Sequence, residues 1–211
     1  MRQSRAWQRL PEEQAPLGTA LYYFDRHVNG TAAKVLPGEY LVTGRDIALV
    51  TLLGSCVSAC IRDPEQRVGG MNHFMLPDSA ADGPVSESAR YGAYAMEKLV
   101  NEILKAGGVR RRLEAKVFGG GAVLKGFTQR PVGERNADFA REYLRREDIP
   151  IVAEDLLNVH PRKVYFFPAT GKVLVKSLTH TPADVLRLDK LYRERLQQGA
   201  VPEGDVELFL S

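Results

Sequence analysis

From Glu39 to Met75 the chain alternates apolar segments of about five to eight residues with short turn-forming stretches, leaving no room for a helix. This is the feature that most narrows the fold. Strands are expected at 39–43, 46–52, 57–62 and 68–75, with Thr43-Gly44-Arg45 and Asp63-Pro64-Glu65-Gln66 as turns. Helical spacing begins only beyond the polar loop from Pro77 to Glu87. Tyr91, Ala95, Leu99 and Ile103 recur every four residues across a helix expected at 88–106, which Gly107-Gly108 stops. A second helix is expected at about 133–147 (Ala137, Ala140, Tyr143, Leu144), and a third at about 182–197 (Val185, Leu188, Leu191, Tyr192, Leu196). Further strands fall at 113–118, 150–154, 162–167 and 172–177, the last pair joined by the turn Ala169-Thr170-Gly171-Lys172.

About seven or eight strands and three helices, hairpins first, predict an α+β fold. Its core would be a mixed β-sheet built partly from hairpins, with about three peripheral helices; a doubly wound nucleotide fold does not fit. Residues 1–20 are polar and proline-broken and are expected to be mobile. Leu21 to Lys34, aromatic at Tyr22, Tyr23 and Phe24 but without a clean period, reads as an extended lead-in. The expected organisation is an N-terminal extension over 1–35, a central domain over 36–180, and a C-terminal helix and tail over 181–211.

Composition removes several function classes. At 211 residues the chain can bury a full core without a disulfide or metal staple. With 29 Lys and Arg against 26 Asp and Glu, the net charge of +3 is too small to argue for nucleic acid or anionic lipid. Two cysteines make no disulfide framework, and with four histidines they show no zinc-ligand spacing. No phosphate loop or dinucleotide fingerprint occurs. The longest apolar run, Ile47 to Leu53, is too short to span a bilayer, and the first twenty residues lack a secretory pattern. A cytoplasmic free-thiol protein without metal, cofactor, nucleic acid or membrane insertion is the expectation.

The stretch from Thr51 to Pro77 could carry chemistry. If Asp63-Pro64-Glu65-Gln66 is a tight four-residue turn, Ile61 faces Val68 and Cys56 faces His73. Facing residues of an antiparallel pair point to one side, with Cβ atoms about 4.5–5.5 Å apart. A thiol and an imidazole so placed can share a proton, which an activated cysteine nucleophile requires. A four-residue loop instead sets Cys56 opposite Met75 and His73 opposite Ser58, keeping the pair diagonal on one face; a one-residue slip separates them. Gly54 and Ser55 just before Cys56 could supply backbone N–H groups for an oxyanion. Taken singly, a cysteine at a strand start is more often a buried hydrophobe, and a histidine more often structural.

Other residues attract blander readings. Cys60 lies about 13 Å along the strand from Cys56, at about 3.3 Å per residue, and is expected as a buried thiol. His27 and His180 read as surface residues, and His160-Pro161 as a turn. Arg110-Arg111-Arg112 reads as a solvated loop, and Gly119-Gly120-Gly121 as a close backbone crossing.

The same residues resemble the chemoreceptor glutamine deamidase family, CheD. The likeness runs through Leu53-Gly54-Ser55-Cys56-Val57, Asp63-Pro64, Gly69-Gly70-Met71-Asn72-His73-Phe74-Met75-Leu76-Pro77 and Val117-Phe118-Gly119-Gly120-Gly121-Ala122. It continues in Val132-Gly133-Glu134-Arg135-Asn136, Ile149 to Val152, Pro161 to Val164 and Thr170 to Val173, covering about residues 36–178 in the family's order. The resemblance implies a cysteine hydrolase of the broad structural group of bacterial toxin glutamine deamidases. Its substrate would be glutamines on methyl-accepting chemotaxis receptors, converted to glutamate during adaptation. It carries the nucleophile to Cys56 and the general base and acid to His73. The family's threonine falls six residues before the cysteine, where this chain has Val50; Thr51, five before, takes the role here, with Asn72 and Ser55 as alternatives. The resemblance also implies a CheC-type phosphatase as partner and no cofactor. A non-catalytic adaptor binding receptors or that phosphatase is the competing reading, and transglutaminase or methylesterase chemistry at the same thioester a third.

Overall fold

The computed structural model describes residues 21–77, 87–122, 131–178 and 183–197. Ten strands form two five-stranded sheets. One has the order β1 (Leu21–Asp25), β2 (Gly30–Lys34), β4 (Ala48–Leu53), β9 (Arg162–Phe167), β10 (Lys172–Ser177). The other has the order β3 (Tyr40–Thr43), β6 (Val68–Asn72), β5 (Val57–Asp63), β7 (Glu114–Gly119), β8 (Ile151–Leu156). Three helices complete the described residues: α1 (Glu87–Lys105), α2 (Val132–Arg146) and α3 (Ala183–Gln197), with a 3-10 turn over Arg110–Arg112.

Side-chain alternation sorts these elements into layers. Along β5, Val57, Ala59 and Ile61 point to α1 and α2, meeting Met96, Leu99, Ile103, Ala140 and Leu144. Cys56 and Cys60 point the other way, with Met71, Met75 and Phe118, against Leu49, Leu53, Val164 and Phe166 of the first sheet. The second sheet is therefore the middle layer, with helices on one face and the first sheet on the other. Parallel pairing of β7 with β8 requires a crossover, which α2 supplies.

The α+β class with hairpins and three helices is what the sequence predicts. The expected mixed β-sheet core consists of two mixed sheets packed face to face. Leu21 to Lys34, expected as an extended lead-in, is the antiparallel pair β1–β2, joined to the core by parallel pairing of β2 with β4. Only Asp25 of β1 is buried, while Leu21 and Phe24 are exposed, so no amphipathic period marks it. Residues 1–20, expected to be mobile, residues 78–86 of the polar loop, and His180 lie outside the described residues, as does the side chain of Leu188.

Candidate functional site

The β5–β6 turn sets the geometry. Asp63 pairs with Val68 and Ile61 with Gly70, so Pro64 to Arg67 form a four-residue loop. Asp63 Oδ1 accepts the N–H groups of Glu65 and Gln66, and Arg67 closes the loop at φ 55°. The tight-turn register, with Cys56 facing His73, is thus corrected by two residues. The bridge between Val57 and Phe74 continues the observed register, setting Met75 across from Cys56 and His73 across from Ser58. Cys56 and His73 keep to one face, the face turned toward the first sheet.

There His73 meets Thr51 of β4. Thr51 Oγ1 lies 2.8 Å from His73 Nδ1 and donates its only proton to the carbonyl of Val35, also at 2.8 Å. With that proton committed, Oγ1 accepts from Nδ1–H, and this leaves the imidazole lone pair on Nε2. Nε2 is buried and makes no hydrogen bond among the described residues. Burial lowers the His73 pKa to about 4, so the ring is neutral at pH 7. A cavity of about 190 Å³, lined by Gly38, Asn72, His73, Tyr91 and Lys98 among others, adjoins the ring.

The other candidates for the third position are engaged elsewhere. Asn72 turns to α1: its Oδ1 accepts the Ala59 N–H at 2.8 Å and its Nδ2 donates to the Ala95 carbonyl. Ser55 donates both its N–H and its hydroxyl to Asp189 of α3, each at 2.9 Å. Cys56 is fully buried, and its thiol donates to Asp189 Oδ1 at 3.4 Å rather than to His73. Burial, then the neighbouring Asp189 carboxylate, push the Cys56 thiol well above its ordinary pKa.

The loop before Cys56 is also held through its carbonyls. Gly54 O accepts from Gly121 N–H at 2.9 Å, Cys56 O from Gly120 N–H at 2.8 Å, and Ser55 O from Asn136 Nδ2 at 2.8 Å. Asn136 also accepts the Leu76 N–H through Oδ1, tying α2 to both strands of the site. Gly119 and Gly120 take φ of 111° and 68°, and a Cβ on Gly119 would lie 2.2 Å from Cys56 O. The triple glycine is the close backbone crossing the sequence suggests. Arg162, buried at the end of β9, steadies it by donating to the Gly119 and Leu157 carbonyls.

The remaining sequence readings fall outside the site. Cys60 is a buried free thiol between the sheets. His27 is exposed. The arginine triplet is a set of ion pairs rather than a basic patch: Arg112 binds Asp63 and Glu65, and Arg110 binds Glu147. Among the described residues no cluster of three or more His, Cys, Asp or Glu could hold a metal ion, and no helix is long and apolar enough to cross a membrane.

Sequence reasoning missed Asp189 and Asn136 as neighbours of Cys56. Asp189 leaves a signal, because it sits at helical spacing between Val185 and Tyr192, a carboxylate within an apolar stripe. The stripe itself needs a correction: Leu191, expected on it, is exposed.

Comparison with known proteins adds the lineage. The family model described as CheD chemotactic sensory transduction matches residues 75–177. A relative from Herminiimonas arsenicoxydans, named probable chemoreceptor glutamine deamidase CheD, is 61% identical over 89% of this chain and 93% of its own. A relative of the same name from Janthinobacterium sp. strain Marseille is 62% identical over the same shares, and one from Thiobacillus denitrificans 57% over 94% and 98%. Among solved structures, a Neisseria meningitidis protein, NMB0706, aligns at 12% identity with a TM-score of 0.36 over 55% of this chain and 52% of that one, too slight a likeness to bear on the fold. At this identity over nearly the whole of both sequences, the chain belongs to the CheD family.

Proposed function

We propose that this protein is a chemoreceptor glutamine deamidase, hydrolysing selected glutamine side-chain amides on methyl-accepting chemotaxis receptors to glutamate and ammonia. The observation that carries the mechanism is the imidazole of His73, anchored at Nδ1 by Thr51 with its Nε2 lone pair free, on the same face as Cys56. The shared name of relatives matching along nearly their full length supports the substrate.

His73 Nε2 takes the thiol proton of Cys56, and the thiolate forms a bond to the carboxamide carbon. The carbonyl electron pair moves to oxygen, where backbone N–H groups of the Gly54 to Cys56 loop receive it. That loop is suited to the task because fixed donors hold its carbonyls and the Ser55 N–H already serves a carboxylate oxygen, that of Asp189. Collapse breaks the carbon–nitrogen bond, and ammonia leaves with the proton from imidazolium. Water then gives a proton to Nε2 and attacks the thioester, releasing glutamate and restoring the thiol. Thr51 orients the ring throughout, as the third member of such arrangements does. No cofactor is required.

In this reading residues 36–180 are the deamidase unit, with additions over 1–35 and 181–211, and the protein works in the cytoplasm, where a CheC-type phosphatase is its further partner. Mass spectrometry of a receptor cytoplasmic fragment, incubated with intact protein or a Cys56→Ala variant, tests it. The expected result is a gain of about one dalton at particular glutamines with intact protein only. Receptor binding with no mass shift from either protein makes it an adaptor instead.

A further inference from the structure

We propose that α3 is an intramolecular plug of this site: Asp189 sits in the seat of the substrate's side-chain carboxamide, and the helix must leave before a glutamine reaches Cys56. The proposal rests on the deamidase reading for the identity of the substrate, but not for the plug itself.

The contacts of Asp189 are those of a bound side chain. One carboxylate oxygen accepts from Ser55 N–H and Ser55 Oγ–H, both at 2.9 Å, on the loop that would hold the carbonyl oxygen. The other accepts from the Cys56 thiol at 3.4 Å. A glutamate product, or the amide it came from, would present the same fork of two atoms to the same donors. Asp189 is 1% exposed, and Val185 and Tyr192 on the same stripe are buried with it. Tyr192 packs over Gly38 and its hydroxyl pairs with that of Tyr91 on α1, so the helix fills the approach to Cys56.

A carboxylate here opposes catalysis rather than assisting it. To aid the base it would have to face His73 Nδ1, and Thr51 holds that position. Beside the sulfur it disfavours the thiolate, and it takes the thiol proton's hydrogen bond while Nε2 has none among the described residues. Its own burial raises its pKa, the mark of a charge that gains by returning to water. A substrate helix therefore competes with α3 for one site, and the accessible fraction of the enzyme is the fraction with α3 released.

The test uses the full chain carrying Asp189→Ala or Asp189→Asn. The asparagine variant keeps size and shape, so folding is preserved while the carboxylate beside sulfur is lost. Iodoacetamide alkylation is followed peptide by peptide, with buried Cys60 as internal reference. The expected result is alkylation of Cys56 about tenfold faster in Asp189→Ala and less accelerated in Asp189→Asn, whose amide oxygen can keep the Ser55 contacts, with Cys60 unchanged and kcat/KM on a receptor fragment raised in the alanine variant. An unchanged or slower Cys56 rate overturns the plug, as does a matching rise at Cys60, which would mean general loosening. A fall in turnover with unchanged alkylation also overturns it by making Asp189 part of the machinery. Alkylation needs no receptor: a faster Cys56 in a protein that never converts glutamine would sustain the plug and defeat the deamidase reading alone.

Discussion

Two buried aspartates mark the opposite ends of the β5–β6 hairpin; burial pushes both carboxyl pKa values up, and the donors around each decide which way the balance falls. At the turn end, Asp63 accepts from Arg112, from the turn amides of Glu65 and Gln66 and from Val109 N–H, and these donors hold its pKa far below the ordinary carboxylate range. At the open end, Asp189 has Ser55 and the weakly donating Cys56 thiol, and desolvation wins, raising its pKa. The donors of Asp63 come from the hairpin itself and from the segment just before β7. Asp189 reaches its partners from a helix more than a hundred residues away in sequence. One end of the hairpin is built to stay closed, and the other is satisfied only while a separate element rests on it.

Asp63→Ala probes the closed end most severely. It strips several donors of one acceptor and should destabilise the fold by about 3 kcal/mol, read as a lowered urea midpoint at unchanged slope. A loss below about 1 kcal/mol would erase the contrast between the two ends.

The open end carries a pH signature of nearly that size. His73 titrates at about 4 in the folded chain against 6.5 when unfolded. Above pH 6.5 the difference contributes nothing; as pH falls from 6.5 toward 4 the unfolded chain takes up a proton that the native one refuses. Stability should fall by up to about 3 kcal/mol across that window. Urea midpoints at pH 7 and 4.5 check this, and His73→Asn, which can still donate to Thr51, should flatten the slope.

Thr51→Val removes the hydroxyl that fixes the imidazole tautomer. The proposed mechanism then predicts a drop of about a hundredfold in kcat with little change in KM, and recovery in Thr51→Ser. A loss in KM alone would mean that Thr51 serves binding rather than the ring. Asn136→Ala is the mildest of the four. It orphans the Ser55 carbonyl and the Leu76 amide, and should cost about 2 kcal/mol in thermal or urea unfolding.

The hairpin, all three helices and eight of the strands can be read from the sequence, because each has a local period or a turn signal within a few residues. The register cannot. Asp63-Pro64 announces a turn, but only Arg67 entering left-handed backbone makes the loop four residues long. The β1–β2 pair is equally hidden, since burial along neither strand alternates residue by residue. Within the site, Cys56 and His73 are legible as neighbours through strand periodicity, and Thr51 only through resemblance to a family. Contacts such as Ser55 with Asp189 or Asn136 join residues whose proximity depends on the assembled layers, and no local pattern encodes them.

The glycine crossing under the Cys56 loop bears on how this protein can vary. A strand's bare backbone serves as the mould for the loop, pressed so close that a single methyl group at position 119 would collide with it. Side chains around the mouth can change, and with them the choice of target, without shifting the amides beneath. In a saturation library, positions 119 and 120 should therefore score with Cys56 itself, although neither bears a functional group.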